Sequence, residues 1–593
     1  MNILLLIILM PIAVSLLCFA FKGLAKWLAL LTSAVVLVAA LIVFMGGETT
    51  STMLALRAYV LSAGIFLAAS LFTFLISLYS LKFMEGKERL GEYYAYIMIT
   101  LGATAGVLFA SDYIMLLLFW GILGITLYML IGLGGPAASS AAKKTFIIVG
   151  GADALMIFGA AIMAGLTGSF QIAAVQTPLT GTLPIIAFIC LAAGALAKAG
   201  AIPLHSWIPD SAEPAPATVM AYLPAALDKL LGIYLLVRVS LDIFLVLPNS
   251  AMSILLMAIG SITIIAAVLS ALVQHNLKKL LSFHAVSQVG YMVLGIGTGI
   301  PVGVAGGLFH MLNHAIYKSC LFLTGGAVER QTGTTELDQL GGLAKVMPIT
   351  FACALIAALS ISGVPPFNGF ASKWMVYQGV IELSKSSPYW IIWLLAAMFG
   401  SALTLASFMK ILHATFLGQN SKLTASVREV PKSMWVPMVT LAALCVIFGV
   451  FANPLPLAKF ILPAVKGVVY TGLWNPGLAT LLLVLGLAVG YGLYYLANVK
   501  NMSAKPAYIG GETLAEEMTK VSGINFYNTI KEWGPLKTLY QLGETRVFDV
   551  YELGSRVTFA CSGILRWLHS GLLHTYLAWM FLGVIILLWV LVR

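Results

Sequence analysis

The sequence has 593 residues, of which 61% are hydrophobic and only 9% are charged, and its mean hydropathy is +1.00. This balance excludes a soluble globular protein, because apolar runs of about 20 residues recur along the chain, each long enough to cross a bilayer. The net charge of +11 resides mostly in loops and a few intramembrane lysines, so it does not indicate nucleic-acid binding. Lipid admits only helices or closed barrels, and barrel-type alternation is absent from the sequence, so we predict an all-α polytopic membrane protein.

About 16 transmembrane helices are predicted from the apolar runs. Residues 1–20 lack the basic start of a signal peptide, so we interpret them as the first span. The stretch 455–471 is also apolar, but nearby prolines make it a weak candidate for an extra span. The approximate spans are 2–21, 27–46, 58–83, 93–110, 113–133, 145–165, 184–206, 218–238, 251–273, 280–299, 303–327, 348–380, 390–417, 435–453, 477–497 and 573–592.

Basic loop residues indicate the orientation. They concentrate in loops after the odd-numbered spans, whereas loops after even-numbered spans, up to the thirteenth, hold only Arg57, Arg238 and Lys385. By the positive-inside rule the first set of loops is cytoplasmic. Because the number of spans is even, we expect both termini on the outer side of the cytoplasmic membrane of a prokaryote.

The C-terminal part differs from the rest of the chain. Residues 499–572 mix both charge signs with aromatic residues and contain helix-breaking glycines and a proline. We expect short amphipathic helices on the cytoplasmic face or against a neighbouring subunit, with a solvated linker as the alternative. The predicted regions are N-terminal transmembrane helices 1–92, a first repeat 93–240, a second repeat 250–418, peripheral transmembrane helices 434–498, and the amphipathic segment with a final span 499–593.

The stretch LAKAGAIPLHSWIPD places Lys198 inside an apolar helix that is interrupted immediately afterwards by Gly200 and Pro203, with His205 beyond them. A charge near the bilayer midplane costs several kcal/mol, so such a residue indicates a functional site. An interrupted helix is tolerated in the membrane only where it lines a cavity. Burial favours the neutral amine, so Lys198 is expected to take up and release a proton; the alternative is a structural lysine paired with a fixed carboxylate.

A second interrupted helix is predicted at LSISGVPPFNGFASKW, where Lys373 follows Gly363, Pro365 and Pro366. AGAIPLHSW and SGVPPFNGF look like distant copies of each other. Two interruptions separated by about 165 residues are what an internal repeat produces, and binding sites lie at such interruptions. Each repeat would contain about five spans.

Further titratable groups lie between the two interruptions. In the eleventh span, His310, His314 and Lys318 recur every four residues and therefore share one helix face. A histidine pair at this spacing suits a metal, but no third ligand stands out, so we favour a proton relay, with structural hydrogen bonding as the alternative. The other candidate pathway residues are Asp228, Lys229, Lys278, Lys279 and His284. Together these groups resemble a horizontal line of protonatable sites through the membrane.

Four motifs occur in order: KAGAIPLHSWIPDSAEPAPATV, LKKLLSFHAVSQVGYM, FHMLNHAIYKSCLFLTGGAV and SGVPPFNGFASKWM. They resemble the antiporter-like proton-translocating subunits of respiratory complex I, Mrp-type Na+/H+ antiporters and group 4 energy-converting hydrogenases, over about residues 60–420. The resemblance implies two inverted five-helix repeats with discontinuous seventh and twelfth helices, each forming a half-channel. PPFNGF and the short C-terminal tail look more like the hydrogenase-related branch.

Positions that match the family motifs inherit expected roles. Lys198 matches the seventh-helix lysine, Lys229 matches an eighth-helix lysine, and Lys373 matches the terminal residue on the twelfth helix. Lys278 or Lys279 matches the basic residue that opens the tenth helix. The eleventh-helix relay is matched by His310, His314 and Lys318.

The sequence departs from the family pattern at the expected partner of Lys198. The family usually has a glutamate after a tryptophan on the fifth helix, whereas this chain has Gly121 there, and a loop aspartate is replaced by Asn276. The nearest replacement carboxylates are Asp228, beside Lys229, and Asp153 on the sixth span. We hypothesise that Asp228 is the substitute.

The resemblance implies an ion-translocating subunit of a membrane-bound redox complex that moves protons, or exchanges them for Na+, along the lysine and histidine row. Expected partners are other membrane subunits, including further antiporter-like ones, and peripheral redox subunits with iron–sulfur clusters. The six cysteines lack metal or redox spacing, so we expect no cofactor, no metal and no catalytic residue in this chain. The alternatives are a component of a Na+/H+ antiporter without a redox partner and a non-conducting structural spacer.

Overall fold

The computed structural model describes residues 2–172, 175–470, 476–496 and 525–592. These residues fold almost entirely into helices, which confirms the all-α polytopic prediction. Thirteen of the described helical segments are long and apolar enough to cross a membrane. The other three predicted spans coincide with α4, Leu90–Phe109, with α13, Pro301–Thr332, and with a helix pair over 348–382, none of which meets that criterion. The total of 16 therefore stays a prediction.

The helices follow one another through short connections. Helices α1 to α6 cover Ile3–Ala20, Ala25–Gly46, Val60–Phe83, Leu90–Phe109, Tyr113–Gly132 and Ser139–Thr167. Helices α7 to α13 cover Thr182–Ala199, Trp207–Ala212, Ala217–Tyr222, Asp228–Val237, Ala251–Leu272, Leu277–Gly297 and Pro301–Thr332. Helices α14 to α22 cover Pro348–Ser362, Asn368–Glu382, Trp390–Leu412, Lys432–Val450, Pro476–Leu496, Asn528–Glu532, Gly534–Glu544, Val550–Leu568 and Leu573–Val592.

A small antiparallel hairpin joins α2 to α3. Its strands are β1, Thr49–Ser51, and β2, Leu56–Ala58, and Thr49 lies opposite Ala58. Short 3-10 turns cover Pro136–Ala138, Leu343–Lys345, Leu383–Lys385 and Thr424–Ser426. Wider π-helical turns cover Leu223–Leu227, Arg238–Ile243, His413–Leu417 and Asn453–Ile461. The last of these is only 9 residues long, about 14 Å at an ordinary helical rise, so the weak candidate span at 455–471 is too short to cross a bilayer.

Both proline-containing motifs interrupt a helix. α7 ends at Ala199, where Gly200 adopts a φ of 78° that a residue with a side chain rarely tolerates, and α8 begins only at Trp207. α14 ends at Ser362 with Gly363 at a φ of 83°, and α15 begins at Asn368. The chain therefore changes direction at two places that are embedded among other helices.

Close backbone contact holds each interrupted helix against a neighbour. A Cβ atom added at Gly232 on α10 would lie 2.7 Å from the carbonyl oxygen of Ala195 on α7. A Cβ atom added at Gly306 on α13 would lie 2.7 Å from the backbone nitrogen of Val376 on α15. Small residues allow this approach, which is how helices pack in lipid. The packing brings the polar groups near each interruption against the next helix.

The predicted eighth span, 218–238, is a composite of α9, a π-helical turn and α10. Pro224 lies in the π-helical turn, which relieves the clash that a proline produces in a regular helix. The most apolar part of the segment Ala217–Ile243 is entirely buried. Asp228 and Lys229 therefore enter α10 in the interior of the helical assembly.

The chain divides into two compact units, Met1–Lys531 and Glu532–Arg593, each with most of its contacts within itself. Within the second unit, α21 places Glu552, Arg556 and Arg566 on one face and Leu553 and Ile564 on another, as expected for an amphipathic helix. α22 is an apolar helix of membrane-spanning length. The part of the predicted amphipathic segment over 499–524 lies outside the described residues.

Candidate functional site

Ionisable side chains form a buried row through the helical assembly. We define the central row as Lys198, Asp228, Lys229, Lys318, His314, His310 and Lys373. None of the seven is more than 2% exposed. Consecutive members lie within electrostatic range of one another. The charge on one group therefore changes the free energy of the charged form of the next group, since Coulomb interactions are strong in a low-dielectric interior.

The row begins at the first interruption. Lys198 lies at the end of α7, and its Nζ is 4.0 Å from Oδ1 of Asp228, at the start of α10. The same amine lies 5.4 Å from the centre of the Trp120 ring on α5. Lys229 lies 5.9 Å from the ring of Trp207, where α8 begins. Two amines thus share one nearby carboxylate, and each also faces an indole.

Fixed hydrogen bonds do not hold the amines in this part of the row. Within the described residues, Nζ of Lys198, Nζ of Lys229, Nζ of Lys318 and Oδ2 of Asp228 have no hydrogen-bond partner. Structural lysines in protein interiors are normally tied to carbonyl or carboxylate oxygens. In the described part of the chain, Lys198, Lys229 and Lys318 lack these fixed bonds, whereas Lys373, at the end of the row, donates to a carbonyl oxygen.

Histidines and hydroxyl groups continue the row along α13. The Lys318 amine faces the Phe408 ring at 5.6 Å, and His314 packs against Tyr317 with ring centres 5.4 Å apart. The ring nitrogens of His310 lie 2.9 Å from Oγ of Ser372 and 3.2 Å from Oε1 of Gln288. A neutral imidazole can accept a proton at one nitrogen while donating from the other, so this neighbourhood suits proton transfer.

The row ends at the second interruption. Lys373 on α15 donates from Nζ to the carbonyl oxygen of Ile361 at 2.9 Å, close to the end of α14. Its amine also lies 4.6 Å from the centre of the Tyr291 ring. The carbonyl is available because the helix stops at Ser362 and its last carbonyls lack helical partners. The interruption thus creates the acceptor that holds the terminal lysine.

A cluster of hydroxyl groups, which the sequence reading missed, lies beyond Lys373. The hydroxyl oxygens of Tyr291 and Ser401 are 2.9 Å apart, and those of Tyr377 and Ser401 are 2.6 Å apart. Tyr377 lies one helical turn after Lys373 on α15, a spacing that was visible in the sequence. Each hydroxyl can donate and accept, so the cluster can pass a proton onward.

Four predicted residues lie outside the central row. Lys278 forms an ion pair with Glu329 at 3.0 Å and also donates to the carbonyl oxygen of Ala215. Lys279 is half-buried at the start of α12, where its backbone N–H donates to Asn276 Oδ1. His205 is half-buried within the first interruption.

His284, the fourth, is buried beside the row rather than in it. Its Nε2 lies 2.8 Å from Oγ of Ser407, and its ring lies 4.8 Å from that of Phe408. Lys318 and Lys373 both act on it electrostatically. His284 therefore joins the second half of the row from the side.

Other buried charges were not singled out from the sequence. Lys144 on α6 pairs with Asp210 on α8 at 2.8 Å. Lys410 on α16 donates to the carbonyl oxygens of Leu272 and Gln274, both at 2.8 Å, and so closes the end of α11. Lys410 was visible as a lysine near the end of an apolar span, but nothing in the sequence indicated its acceptors.

Gly121, which occupies the position of the expected glutamate, lies on the exposed face of α5 with Leu118 and Ile125. Among the described residues, no atom lies within 4 Å of a Cβ added at Gly121. From α6, Asp153 reaches α5 instead: its Oδ1 accepts a hydrogen bond of 2.8 Å from the indole N–H of Trp120. Its Oδ2 is 3.4 Å from a Cβ added at Gly124. Both carboxylates considered from the sequence thus lie in the surroundings of Lys198: Asp228 is in direct range, and Asp153 is bonded to the Trp120 indole that the Lys198 amine faces.

A metal site at the histidine pair would need a third ligand close to His310 and His314. Within the described residues, no group of three or more histidine, cysteine, aspartate or glutamate side chains is arranged to hold a metal ion. His310 and His314 instead make the hydrogen-bond and ring contacts described above.

Two interrupted helices and a buried ionisable row define a polytopic membrane protein of the antiporter-like class. Residues 110–404 match the family described as NADH:quinone oxidoreductase/Mrp antiporter, TM. The chain belongs to this family.

Curated relatives include components of bacterial antiporters. The A1 subunit of the Na+/H+ antiporter of Staphylococcus haemolyticus is 33% identical over 406 residues, which cover 64% of this chain and 50% of that protein. The corresponding A-type component of the Na+/H+ antiporter of Bacillus subtilis is 32% identical over 464 residues, covering 71% of this chain and 57% of that protein. The chain therefore spans about half the length of the curated relatives it matches.

Solved structures extend the similarity to almost the whole chain. A chain of the membrane-bound sulfane sulfur reductase, an archaeal respiratory membrane complex, matches with a TM-score of 0.83 and 25% identity, covering 99% of this chain and all of that one. A chain of the Mrp complex of Dietzia matches with a TM-score of 0.71 at 22% identity, covering 78% of this chain and 98% of that one. A chain of Thermus thermophilus respiratory complex I matches with a TM-score of 0.65 at 22% identity, covering 77% of this chain and all of that one. The last two matches establish the fold.

Proposed function

We propose that the chain is an ion-translocating subunit of a multisubunit membrane-bound redox complex and that protons move along its central row. The observation that carries this proposal is the continuity of buried ionisable groups from one helix interruption to the other. Such groups are expensive to bury, and a purely structural role would not require them to be aligned. The open hydrogen-bonding positions of three lysine amines support the same role.

Asp228 supplies the switching element in this proposal. Its carboxylate lies close to Lys198 and next to Lys229, so it stabilises whichever amine is protonated. A proton that arrives at Lys198 is held by Asp228 and then passes to Lys229. From there it moves through Lys318 and the two histidines to Lys373, and the Tyr291, Ser401 and Tyr377 hydroxyls provide the exit.

The redox partnership is supported by the extent of the structural similarity. The chain from the archaeal respiratory complex covers 99% of this chain, whereas the Mrp chain covers 78% of it. We place the electron-transfer chemistry in peripheral partner subunits with iron–sulfur clusters, because the sequence contains no nucleotide loop, cluster-ligand spacing or haem motif. Further antiporter-like subunits would lie beside this chain in the cytoplasmic membrane of a prokaryote, with both termini of the chain outside.

Proton transport by the purified native complex in liposomes tests this proposal. A potassium diffusion potential drives proton uptake, which is followed by quenching of an acridine dye. We expect Lys198→Ala and Lys318→Ala each to reduce the rate by at least about tenfold, which corresponds to a barrier increase of about 1.4 kcal/mol. Lys385→Ala is the matched control, because Lys385 forms an exposed ion pair with Glu382 outside the row. Unchanged transport in both row variants would show that the chain is a structural spacer.

A component of a Na+/H+ antiporter without a redox partner is the second candidate. The identity of over 30% to the A-type and A1 antiporter proteins of bacteria favours it. Identification of the subunits that co-purify with the chain separates the two candidates. Sodium-driven proton movement in the absence of an electron donor, together with the lack of iron–sulfur subunits, would select the antiporter.

A further inference from the structure

We propose that a line of buried hydroxyl groups along α3 carries protons to Asp228 from the end of the helical assembly where α3 finishes. The inference rests on the proposed function, because it supplies an inlet for the central row. None of the hydroxyl-bearing residues is more than 1% exposed. We define the hydroxyl path as Thr218, Tyr93, Ser80, Ser77, Thr73 and Tyr222, which lie on α3, α4 and α9.

The central part of the hydroxyl path is one face of α3. Ser80, Ser77 and Thr73 are separated by three and four residues, so their side chains share that face. The helical rise separates the first from the last by about 10 Å, which is roughly a third of the hydrocarbon core of a bilayer. A fully buried membrane face is an unusual place for hydroxyl groups, because each of them needs a hydrogen-bond partner there.

One end of the hydroxyl path lies where α3 finishes. The hydroxyl oxygen of Tyr93, on α4, is 2.7 Å from Oγ of Ser80, and the side chain of Thr218 interacts with the same tyrosine hydroxyl. Oγ1 of Thr218 also lies 3.8 Å from Sδ of Met84, the residue that follows the last turn of α3. Lys82, within that last turn, is exposed. This end of the path is therefore close to the polar surface of the chain.

The other end of the hydroxyl path lies next to the central row. Oγ1 of Thr73 is 3.1 Å from the hydroxyl oxygen of Tyr222. Asp228 acts electrostatically on Tyr222, and so does Tyr93 from the path. Tyr222 is the last residue of α9 and Asp228 is the first residue of α10, with only the π-helical turn between them. The Tyr222 hydroxyl is thus the last group of the path before a carboxylate of the row.

Ser77 lies between the two hydrogen-bonded pairs. Its Oγ is buried and has no hydrogen-bond partner among the described residues. Its neighbours on the same face follow the usual pattern, since Thr73 donates to the carbonyl oxygen of Ala69 and Ser80 to that of Ile76. Ser77 therefore keeps a donor and an acceptor position open in the middle of the path, which a set of purely structural hydrogen bonds does not require.

Proton transfer along the hydroxyl path leaves every hydroxyl group intact. Each oxygen accepts a proton from the preceding group while it releases its own to the next, so only O–H bonds form and break. The net result is one proton moved from water to the Asp228 carboxylate, and rotation of the hydroxyls restores their orientation. The steps on either side of Ser77 correspond to about 4.5 and 6 Å of helical rise, which a water molecule can bridge.

Tyr222→Phe and Ser77→Ala test the path in the reconstituted native complex, with proton uptake driven by a potassium diffusion potential. Each variant removes one hydroxyl oxygen, and we expect the rate to fall by about threefold to tenfold. Tyr79→Phe is the matched control, because Tyr79 lies on another face of α3, is also fully buried and donates to the carbonyl oxygen of Leu323 at 2.8 Å. It loses an equivalent hydrogen bond and should keep the wild-type rate.

Two further measurements separate proton delivery from a structural role. Thr73→Val removes a hydroxyl of the path whereas Thr73→Ser keeps it, so only the valine variant should slow proton uptake. The ratio of the rates in light and heavy water should rise in Tyr222→Phe, because proton delivery then limits the rate, and stay at the wild-type value in Tyr79→Phe. If Tyr222→Phe does not assemble, the two Thr73 variants provide the same comparison.

The outcomes distinguish this inference from the proposed function. Wild-type rates in Tyr222→Phe, Ser77→Ala and Thr73→Val, with transport lost in Lys198→Ala, would overturn the hydroxyl path alone. Equal losses of rate in Tyr222→Phe and Tyr79→Phe, with unchanged isotope ratios, would also overturn it. Unchanged transport in both Lys198→Ala and Lys318→Ala would instead refute the proposed function.

Discussion

Asp228→Asn removes the charge that the first two lysines of the row share. Nζ of Lys198 is 4.0 Å from Oδ1 of Asp228, and two unit charges at about 4 Å interact by about 4 kcal/mol at an effective dielectric constant of about 20. Losing an attraction of this size leaves the charged amines of Lys198 and Lys229 without their nearby counter-charge. We expect the first half of the row to stop accepting protons.

The assay is dye-monitored proton uptake by the reconstituted complex, normalised to the amount of assembled complex. We expect Asp228→Asn to reduce the rate by at least about tenfold. Asp228→Glu keeps the charge on a longer side chain and should retain a larger part of the rate. Transport at the wild-type rate in the Asn variant would refute the switching role of Asp228 and leave Asp153 as the remaining carboxylate near Lys198.

Gly232→Leu should destabilise the complex, because even the Cβ of the leucine would lie 2.7 Å from the Ala195 carbonyl oxygen. We expect a cost of about 1–3 kcal/mol, measured as a lower Tm in detergent. Gly150→Ala, where a Cβ meets no atom within 4 Å among the described residues, is the control and should leave the Tm unchanged. Tyr377→Phe removes a hydroxyl that lies 2.6 Å from Ser401 and should slow proton uptake without lowering the Tm, whereas Tyr128→Phe should change neither. Glu429→Ala removes the acceptor of the Ile349 and Thr350 N–H groups and of the Thr350 hydroxyl at the start of α14. A loss of about 1–3 kcal/mol in thermal stability is expected. The exposed pair variant Glu48→Ala should cost less than about 1 kcal/mol, and an equal effect of the two would contradict the reasoning.

The lysines of the row were predictable because a charge is conspicuous in an apolar run. Lys198 and Lys373 each stand beside glycine and proline, and both features persist as helix ends in the structure. The four-residue spacing of His310, His314 and Lys318 fixed their common face as soon as a helix was assumed. These inferences depend only on local sequence, which is why they could be made without coordinates.

Contacts between helices were not accessible in the same way. Lys278 stands in a family motif, but its partner Glu329 is 51 residues away, and nothing local indicated that this pair would form outside the central row. The bond from Trp120 to Asp153 depends on the rotation of α5 relative to α6, which hydrophobic patterns leave undetermined. The substitution at Gly121 raised the question of which carboxylate replaces the missing one. Only the packing of α5, α6 and α10 placed both candidates around Lys198.

The two halves of the row differ in how they handle charge. The first half contains two carboxylates: Asp228 lies 4.0 Å from the Lys198 amine, and Asp153 accepts the Trp120 N–H. The second half, from Lys318 to Lys373, is lined instead by histidine, amide and hydroxyl groups, which are neutral partners for a proton.

In the proposed mechanism, this difference would give the row a direction. Lys229 and Lys318 repel when both are charged, and Lys318 and Lys373 both act electrostatically on His284, which lies beside the row. A proton that enters at Lys229 therefore disfavours one on Lys318, so the earlier proton is displaced toward Lys373 and the hydroxyl cluster. In that mechanism, carboxylates hold the incoming charge at one end of the row, and neutral groups at the other end pass it on in steps.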